Sequence, residues 1–216
     1  MLPPTALHLT RRGAVWQPEA AATLKAAFEQ QQCVKLRSLL SADLVAAIQT
    51  AIARSTFRER SHGTLASELC LEDGVCTGLL HFLINDPRLF RLVEQIAGCS
   101  GIRSFGGRIY RRHPGGQHYD HWHGDIADPR RLVGLSVNLS TEIYEGGVFE
   151  IRDLETEHVF AHLPNVGLGD AILFRLSPAL EHRVSDMRGA YPKTAFAGWF
   201  LAEKDFEPVL HQVSTG

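Results

Sequence analysis

The second half of the chain alternates short apolar segments with turns, and this spacing restricts the fold more than any other feature of the sequence. Eight segments rich in β-branched, aromatic and leucine residues cover residues 102–111, 117–122, 132–139, 148–152, 158–163, 171–174, 182–185 and 193–201. Glycines and prolines lie in several of the intervals between them. No interval is long enough for a crossover helix, which excludes a parallel βαβ sheet. The pattern predicts an antiparallel β-sandwich or a barrel of the jelly-roll type.

The first hundred residues have helical periodicity instead. The spacing of their apolar residues predicts a helix over residues 19–31. A second helix is predicted to follow Ser41 as its N-cap, and a third to begin at Asp86 and to end at Gly98. Residues 57–76 have little periodicity and are predicted to form a loop or an irregular helix. We therefore expect helices first in the chain and a β-barrel after them.

Length and composition fit one globular domain. The chain has 216 residues, of which 44% are hydrophobic and 21% are charged, close to the averages for globular proteins. A chain of this length can bury a core without disulfides. We expect a single α+β domain in which residues 1–101 form mainly helical support, residues 102–201 form the barrel core and residues 202–216 form a C-terminal tail.

The charge balance excludes some classes of partner. The 22 Lys and Arg residues against 24 Asp and Glu residues give a formal net charge of −2, which leaves no strongly basic surface for a nucleic-acid backbone. The longest apolar stretches are too short to cross a bilayer, and the N-terminus lacks the pattern of a signal peptide. The four cysteines have no C-x-x-C spacing and are expected to be reduced thiols. We expect a cytoplasmic protein that binds neither nucleic acid nor a membrane.

Histidines are concentrated in the predicted barrel. Seven of the 11 lie within residues 113–182. One triplet, His-Gly-Asp at residues 123–125, places its histidine and aspartate on the same side of an extended strand. With His182 from another strand, two imidazoles and one carboxylate would form the ligand set of non-haem Fe(II) oxygenases. A second triplet, His-Tyr-Asp at residues 118–120, has the same spacing, so the spacing alone does not choose between them.

Longer runs of the sequence resemble a known family. They show a tyrosine-containing strand, a Gly-rich turn, His-x-Asp, a following Arg, a Gly-Gly turn and a distal His, and they cover residues 110–125, 131–140, 145–150, 169–174, 181–184 and 193–200. These runs are similar to the core of the Fe(II)/2-oxoglutarate-dependent dioxygenases, in particular to the prolyl-hydroxylase-like branch. The resemblance spans residues 102–201. It implies a double-stranded β-helix, a jelly-roll or cupin-like barrel, with supporting N-terminal helices.

The resemblance also implies a set of iron ligands. Measured from residues 123–125, the intervals to Arg131 and to the glycine pair at residues 146–147 fit the family better than those measured from residues 118–120. The Fe(II) ligands that the resemblance implies are His123, Asp125 and His182. Whether His118 or His121 contributes to the site as an outer or substrate-facing group stays open.

A site for the cosubstrate is implied as well. In the family, a cation on the last core strand holds the distal carboxylate of 2-oxoglutarate, and Lys193 has this position. A buried lysine is costly unless it is paired with an anion, which a dicarboxylate supplies. Arg188, in a predicted turn, is the competing cation. Further polar contacts with the cosubstrate are implied for Tyr110 and Asn138, although the family more often has Tyr at the second position.

The implied activity is hydroxylation of an unactivated C–H bond. Related halogenases have a small residue in place of the metal-binding carboxylate, so Asp125 implies oxidation rather than halogenation. The reaction would use O₂ and 2-oxoglutarate and release succinate and CO₂, with ascorbate as a candidate reductant. The substrate would be an amino acid, a peptidyl side chain or a small natural product. Candidate residues for the substrate wall are Arg108, Arg112, Trp122 and Arg183.

Two alternatives from other classes stay open. One is a cupin-type metal enzyme that does not use 2-oxoglutarate, in which Lys193 would have no special role. The other is a non-catalytic barrel that binds a metal ion or a ligand. The oligomeric state is not predicted, because an exposed apolar stripe cannot be told from core by sequence.

Overall fold

The computed structural model describes residues 7–17, 19–72 and 74–202. Over these residues the chain forms four helices and fourteen strands. The helices are α1 (Ala20–Gln31), α2 (Ala42–Ile52), α3 (Gly74–Ile84) and α4 (Pro87–Ala97). The strands are β1 (Leu7–Thr10), β2 (Gly13–Trp16), β3 (Cys33–Leu36), β4 (Phe57–Ser61), β5 (Ser67–Leu71), β6 (Ser104–Arg112), β7 (Arg131–Asn138), β8 (Glu145–Gly146), β9 (Phe149–Asp153), β10 (Val159–Leu163), β11 (Ala171–Arg175), β12 (Leu180–Val184), β13 (Met187–Arg188) and β14 (Lys193–Leu201).

Two antiparallel sheets form the body of the protein. The main sheet has seven strands in the order β3-β11-β7-β14-β6-β5-β4, and a smaller sheet has the order β10-β9-β12. The two sheets pack against each other through apolar side chains, and the ring centroids of Phe149 on β9 and Phe174 on β11 lie 4.9 Å apart. Two such sheets around a common interior are the architecture of a double-stranded β-helix. The predicted fold class is therefore confirmed.

Strand alternation separates the two faces of the main sheet. Ile109 on β6 and Phe196 on β14 point towards the helices and belong to one apolar core with α2, α3 and α4. Their neighbours Tyr110 and Ala197 point the other way and line a cavity. Because side chains alternate along a strand, the same strands build the core and the cavity wall.

Helix α4 has the ends that its sequence predicts. The side chain of Asp86 accepts a hydrogen bond from the backbone N–H of Arg88, Pro87 occupies the first turn, and Gly98 ends the helix with a φ of +67°. Its apolar stripe is buried, and the Phe90 ring lies 6.0 Å from that of Phe200 on β14. This contact attaches the helix to the main sheet.

The structure differs from the prediction over residues 57–76. This segment forms the β4–β5 hairpin and the start of α3. Strand β4 is an edge strand with four of its five residues exposed, so it requires no apolar alternation, and its polar sequence did not indicate a strand. Because β5 pairs with β6 and β3 pairs with β11, the first hundred residues supply three strands of the main sheet. The β1–β2 hairpin was not predicted either.

The strand predicted over residues 117–122 is wrong. The stretch crosses the β4–β5 hairpin as a loop, where the backbone N–H of His121 donates to the carbonyl oxygen of Leu65 (2.8 Å). The backbone N–H of Ser67 donates to the carbonyl oxygen of Tyr119 (3.0 Å). These bonds satisfy the loop backbone without a continuous strand partner.

Among the described residues, no helix has the length and apolar character needed to cross a membrane, and the longest helix, α1, has 12 residues. Residues 203–216 of the predicted C-terminal tail lie outside the described residues.

Candidate metal centre

Three side chains that the sequence analysis selected lie close together between the two sheets. His123 and Asp125 lie in the loop between β6 and β7, and His182 lies on β12. One ligand atom from each lies within 4.8 Å of the others. Nε2 of His182 is 3.4 Å from Oδ2 of Asp125, and Nε2 of His123 is 4.0 Å from Oδ1 of Asp125. Among the described residues, no other group of three His, Cys, Asp or Glu side chains is close enough to hold one ion.

The main chain holds the two histidines side by side. The N–H of His123 donates to the carbonyl oxygen of His182 (3.1 Å), and the N–H of His182 donates to the carbonyl oxygen of His123 (2.9 Å). A single bridge to β12, rather than the continuous strand expected from the spacing, therefore brings the triplet at residues 123–125 next to the distal histidine.

The His123 ring is oriented by its own backbone. Its Nδ1 lies 2.7 Å from the carbonyl oxygen of His121. Because a carbonyl oxygen only accepts, this bond requires the ring proton on Nδ1. That tautomer leaves the lone pair of Nε2 free towards Asp125, as in metal-binding histidines with an outer acceptor.

Asp125 is held by contacts from two strands. Nε1 of Trp199 on β14 donates to its Oδ2 (2.7 Å), and Nη1 of Arg131 on β7 lies 3.4 Å from its Oδ1. Burial disfavours the ionised carboxylate, but the hydrogen bond and charge of His182, the charge of His123 and the Trp199 hydrogen bond outweigh it and lower the Asp125 pKa from 3.8 to about 2. The group is therefore an anion at neutral pH, which metal binding requires.

The alternative triplet at residues 118–120 is occupied by other contacts. Nδ1 of His118 accepts a hydrogen bond from the backbone N–H of His113 (3.0 Å). The Asp120 carboxylate accepts one from the backbone N–H of Val184 (2.7 Å) and lies 3.2 Å from Nη1 of Arg112. Among the described residues, neither side chain has two further ligands within reach. The exposed His121 contributes only its carbonyl oxygen to the centre.

The three side chains face a cavity of about 720 Å³. Its walls come from the β4–β5 hairpin, strands β6, β7 and β14, and the loop that follows Asp125. The small residues Gly106 and Ala197 lie on the wall, where they take little of the space in front of the sheet. The volume falls in the range of small-molecule sites, about 300–1,000 Å³. It is sufficient for a five-carbon diacid together with a small substrate.

Lys193 lies behind the cavity wall at the start of β14. The residue is 1% exposed, its Nζ donates to the carbonyl oxygen of Gly147 (2.8 Å), and Arg112 is its partner across the β14–β6 pair. Burial and the charge of Arg112 lower the Lys193 pKa from 10.5 to about 7, against a smaller opposite effect of Asp120. No carboxylate within the described ranges forms an ion pair with this lysine, so it is a buried cation without its own counter-ion.

The other implied cosubstrate residues have different surroundings. Tyr110 is buried and lines the cavity. Asn138 is not on the wall, because its Nδ2 donates to the carbonyl oxygen of Gly167 (2.9 Å) and its Oδ1 accepts from the backbone N–H of Ser140 (3.2 Å). These bonds give Asn138 a structural role, and nothing in the structure supports it as a cosubstrate contact. Arg188 is exposed on β13 and is not on the cavity wall.

Two of the four candidate wall residues line the cavity and two do not. Arg108 and Arg112 lie on the inner face of β6. Trp122 and Arg183 are not part of the wall, and the guanidinium carbon of Arg183 lies 4.6 Å from the Trp122 ring centroid. Arg183 follows His182 on β12, so alternation turns its side chain away from the site.

Glu68 is the polar residue that the sequence analysis missed. It lies on β5, is fully buried, accepts a hydrogen bond from Nε of Arg108 and lies 3.5 Å from Nη2 of Arg112. Burial disfavours the ionised form of Glu68, but the charge and hydrogen bond of Arg108, followed by the charges of Arg112 and His62, hold its pKa below the usual value. No signal indicated this role, because the segment around Glu68 has neither helical nor strand periodicity.

Comparison with known proteins gives matches in structure but not in sequence. No family sequence model matches the chain, and no curated protein matches it in sequence. An oxidoreductase of the 2OG-Fe(II) oxygenase family from Burkholderia pseudomallei is similar with a TM-score of 0.68 and 18% identity, over 87% of this chain and 93% of that one. A Pseudomonas putida prolyl-4-hydroxylase is similar with a TM-score of 0.63 and 17% identity, over 85% of this chain and 100% of that one.

A third similar structure has a different reaction. The non-haem α-ketoglutarate-dependent epimerase SnoN from nogalamycin biosynthesis matches with a TM-score of 0.63 and 16% identity, over 86% of this chain and 82% of that one. At these identities the likeness concerns the fold. The chain has the double-stranded β-helix fold of these 2-oxoglutarate-dependent non-haem iron proteins.

Proposed function

We propose that the protein is an Fe(II)- and 2-oxoglutarate-dependent oxygenase that hydroxylates a C–H bond of an amino-acid, peptidyl or small natural-product substrate. The observation that carries this proposal is the group of His123, Asp125 and His182 beside a cavity of about 720 Å³. The fold shared with 2OG-Fe(II) oxygenases supports it.

The donor set suits Fe(II). Two imidazole nitrogens and one carboxylate on one side of an ion leave three positions for the cosubstrate and O₂. The ionised Asp125 offers a carboxylate oxygen, and the contact of His123 Nδ1 with the main chain directs its Nε2 towards Asp125. When bound, iron together with 2-oxoglutarate and O₂ supplies the oxidising chemistry, while the protein supplies binding and orientation.

The residues around Asp125 would fix its direction. The Trp199 hydrogen bond holds one carboxylate oxygen, and Arg131 lies beside the other. The main-chain bridge sets the separation of the two histidines. Such outer contacts hold ligands in place before a metal binds, which reduces the cost of ordering them.

Lys193 is the residue to which we assign the distal carboxylate of 2-oxoglutarate. Arg112 lies opposite it, lines the cavity and has an Nε without a hydrogen-bond partner among the described residues. A dicarboxylate would supply the anionic partner that Lys193 lacks among the described residues. Tyr110, on the wall between Arg108 and Arg112, is the proposed neutral polar contact.

Release of succinate tests the proposal. The purified protein with Fe(II), 2-oxoglutarate, ascorbate and O₂ should form succinate slowly without substrate and faster when a compound from an amino-acid and peptide panel is oxidised. Mass spectrometry should find one added oxygen in that compound. If the protein binds a metal ion but neither releases succinate nor binds N-oxalylglycine, a mimic of 2-oxoglutarate, the cupin-type enzyme would be favoured instead. Binding of the mimic without turnover across the panel would favour a non-catalytic barrel.

We expect the affinity for N-oxalylglycine to fall as the pH rises above 7. Lys193 has a pKa of about 7, and a bound carboxylate would raise it by favouring the ammonium form. Below pH 7 the lysine is charged in both states, so the affinity is constant. Above pH 7 binding must take up a proton, and the affinity falls by up to about tenfold per pH unit until the pKa of the complex is reached.

Calorimetry of the Zn(II)-loaded protein, in buffers of different ionisation enthalpy, measures both the affinity and the proton uptake. Lys193→Met should remove the uptake that belongs to this group. A wild-type affinity that does not change with pH would contradict the role of Lys193.

A further inference from the structure

Arginines outnumber carboxylates on the cavity wall by one. Among the described residues, the wall carries five arginines against four carboxylates. The arginines are Arg60, Arg108, Arg112, Arg130 and Arg131, and the carboxylates are Glu68, Asp120, Asp125 and Asp128. The charges of Fe(II) and 2-oxoglutarate are equal and opposite, so a loaded site would keep this positive excess.

Two of these arginines are neutralised within the wall. Arg130 donates from Nε (2.9 Å) and Nη2 (2.8 Å) to the two oxygens of Asp128, which closes its guanidinium on one carboxylate. Arg112 lies between Glu68 and Asp120, at 3.5 Å and 3.2 Å, and Lys193 lies behind it.

Arg108 and Arg131 are less completely paired. Arg108 donates only through Nε, to Glu68, a carboxylate that it shares with Arg112, and its two terminal nitrogens donate to no described residue. Arg131 donates only through Nη1, to the backbone oxygen and Oδ1 of Asp125 at 3.3 Å and 3.4 Å. Its carboxylate partner is thus Asp125, the proposed metal ligand. A bound metal ion would neutralise much of the charge of this carboxylate and leave Arg131 less fully paired.

Both arginines lie next to the proposed metal centre. Their guanidinium carbons are 6.0 Å (Arg108) and 3.7 Å (Arg131) from the ring centroid of Trp199, whose Nε1 is bonded to Asp125. Their side chains are 27% and 24% exposed, and both residues line the cavity. Their free nitrogens are therefore accessible from the cavity, where a substrate must place its reacting carbon.

We propose that the substrate carries an oxyanion group, a carboxylate or a phosphate, which Arg108 and Arg131 bind beside the metal centre. This inference rests on the proposed function. A guanidinium group offers paired N–H donors that match two oxygens of such a group. A cationic substrate would meet a positive wall and is not expected to bind.

The test measures binding without turnover. The full chain is loaded with Zn(II) and N-oxalylglycine and titrated with a panel of small carboxylic acids and phosphate esters. Each anion is compared with its neutral counterpart, an amide or an alcohol. Acetate and inorganic phosphate serve as minimal probes. At least one anion should bind about tenfold more tightly than its neutral partner. Replacing both Arg108→Met and Arg131→Met should remove this preference, and the preferred member of the panel distinguishes carboxylate from phosphate.

Two further variants control for folding and position. Arg130→Met removes a wall arginine that is already paired with both oxygens of Asp128. This variant should therefore retain the preference for anions. Arg108→Lys keeps the charge and should retain part of it. Equal binding of anions and neutral partners by the wild type, or a preference that survives in the double variant, would overturn the inference.

Binding of N-oxalylglycine shows whether the two arginines bind the substrate or the cosubstrate. If the double variant binds N-oxalylglycine as weakly as it binds the anions, the two arginines serve the cosubstrate and the inference is overturned. Wild-type protein that binds neither Zn(II) nor N-oxalylglycine would show that the proposed function fails, and the inference fails with it.

Discussion

Replacing His182 with alanine should abolish metal binding and all succinate release, with or without substrate. The residue is 7% exposed, and its Nε2 lies 3.4 Å from the Asp125 carboxylate. Its loss leaves two ligands, so the affinity for Co(II), used as a spectroscopic substitute for Fe(II), should fall by at least about 100-fold. Asp125→Ala should have the same effect, since it removes the only anionic ligand. Visible absorption of the Co(II) complex and a succinate assay measure the two effects.

His118→Gln is the matched control, because His118 belongs to the alternative His-x-Asp triplet and is buried as well. This variant should bind Co(II) like the wild type, and circular dichroism should show that all three variants are folded. Near-native Co(II) affinity and turnover in His182→Ala would show that the ligand assignment is wrong. A loss confined to His118→Gln would favour the triplet at residues 118–120.

Lys193→Met should raise the KM for 2-oxoglutarate by about 100-fold or more, because a buried carboxylate would lose its cationic partner. Methionine has a similar volume and should keep the packing against Gly147. This packing is close, because a Cβ atom added to Gly147 would lie 3.2 Å from Cδ of Lys193. The affinity for Co(II) should change by less than about twofold, since Lys193 makes no contact with the three ligands. Steady-state kinetics with varied 2-oxoglutarate, together with the Co(II) titration, separate the two effects.

A keto acid without the distal carboxylate gives the sharpest control for Lys193. The affinity for 2-oxobutyrate should be similar in the wild type and in Lys193→Met, because no group would remain to pair with the lysine. Arg188→Met, which changes the exposed competing cation on β13, should leave the KM unchanged. An unchanged KM in Lys193→Met would reject the assignment, and a raised KM in Arg188→Met would favour the competitor.

Local signals allowed parts of the fold to be predicted. Helix α4 is specified by Asp86, Pro87 and Gly98, which act within one or two turns of the helix ends. Strand β14 is indicated by a run of aromatic and small apolar residues, and β6 by its aromatic and β-branched residues, each next to turn residues. These features depend on contacts between residues close in sequence or on a repeat that burial imposes.

Other parts depend on partners far along the chain. Strand β4 is held by pairing with β5 at an exposed sheet edge, and nothing in its composition requires that partner. The loop at residues 117–122 takes its backbone bonds from Leu65 and Ser67. Glu68 forms its ion pairs with Arg108 and Arg112, 40 or more positions later. Sequence patterns record the local period and not these pairings.

The amino-acid sequence by itself predicted the antiparallel barrel, its helical support and the residue types of the candidate metal centre, because burial and metal chemistry impose a recognisable spacing and composition. The tertiary structure decided which histidine pairs with which, through the bridge between His123 and His182. It also decided that Arg108 and Arg112 face the cavity and that Asn138 does not. These choices follow from strand register and long-range hydrogen bonds, whose free energy depends on groups that meet only when the chain has folded.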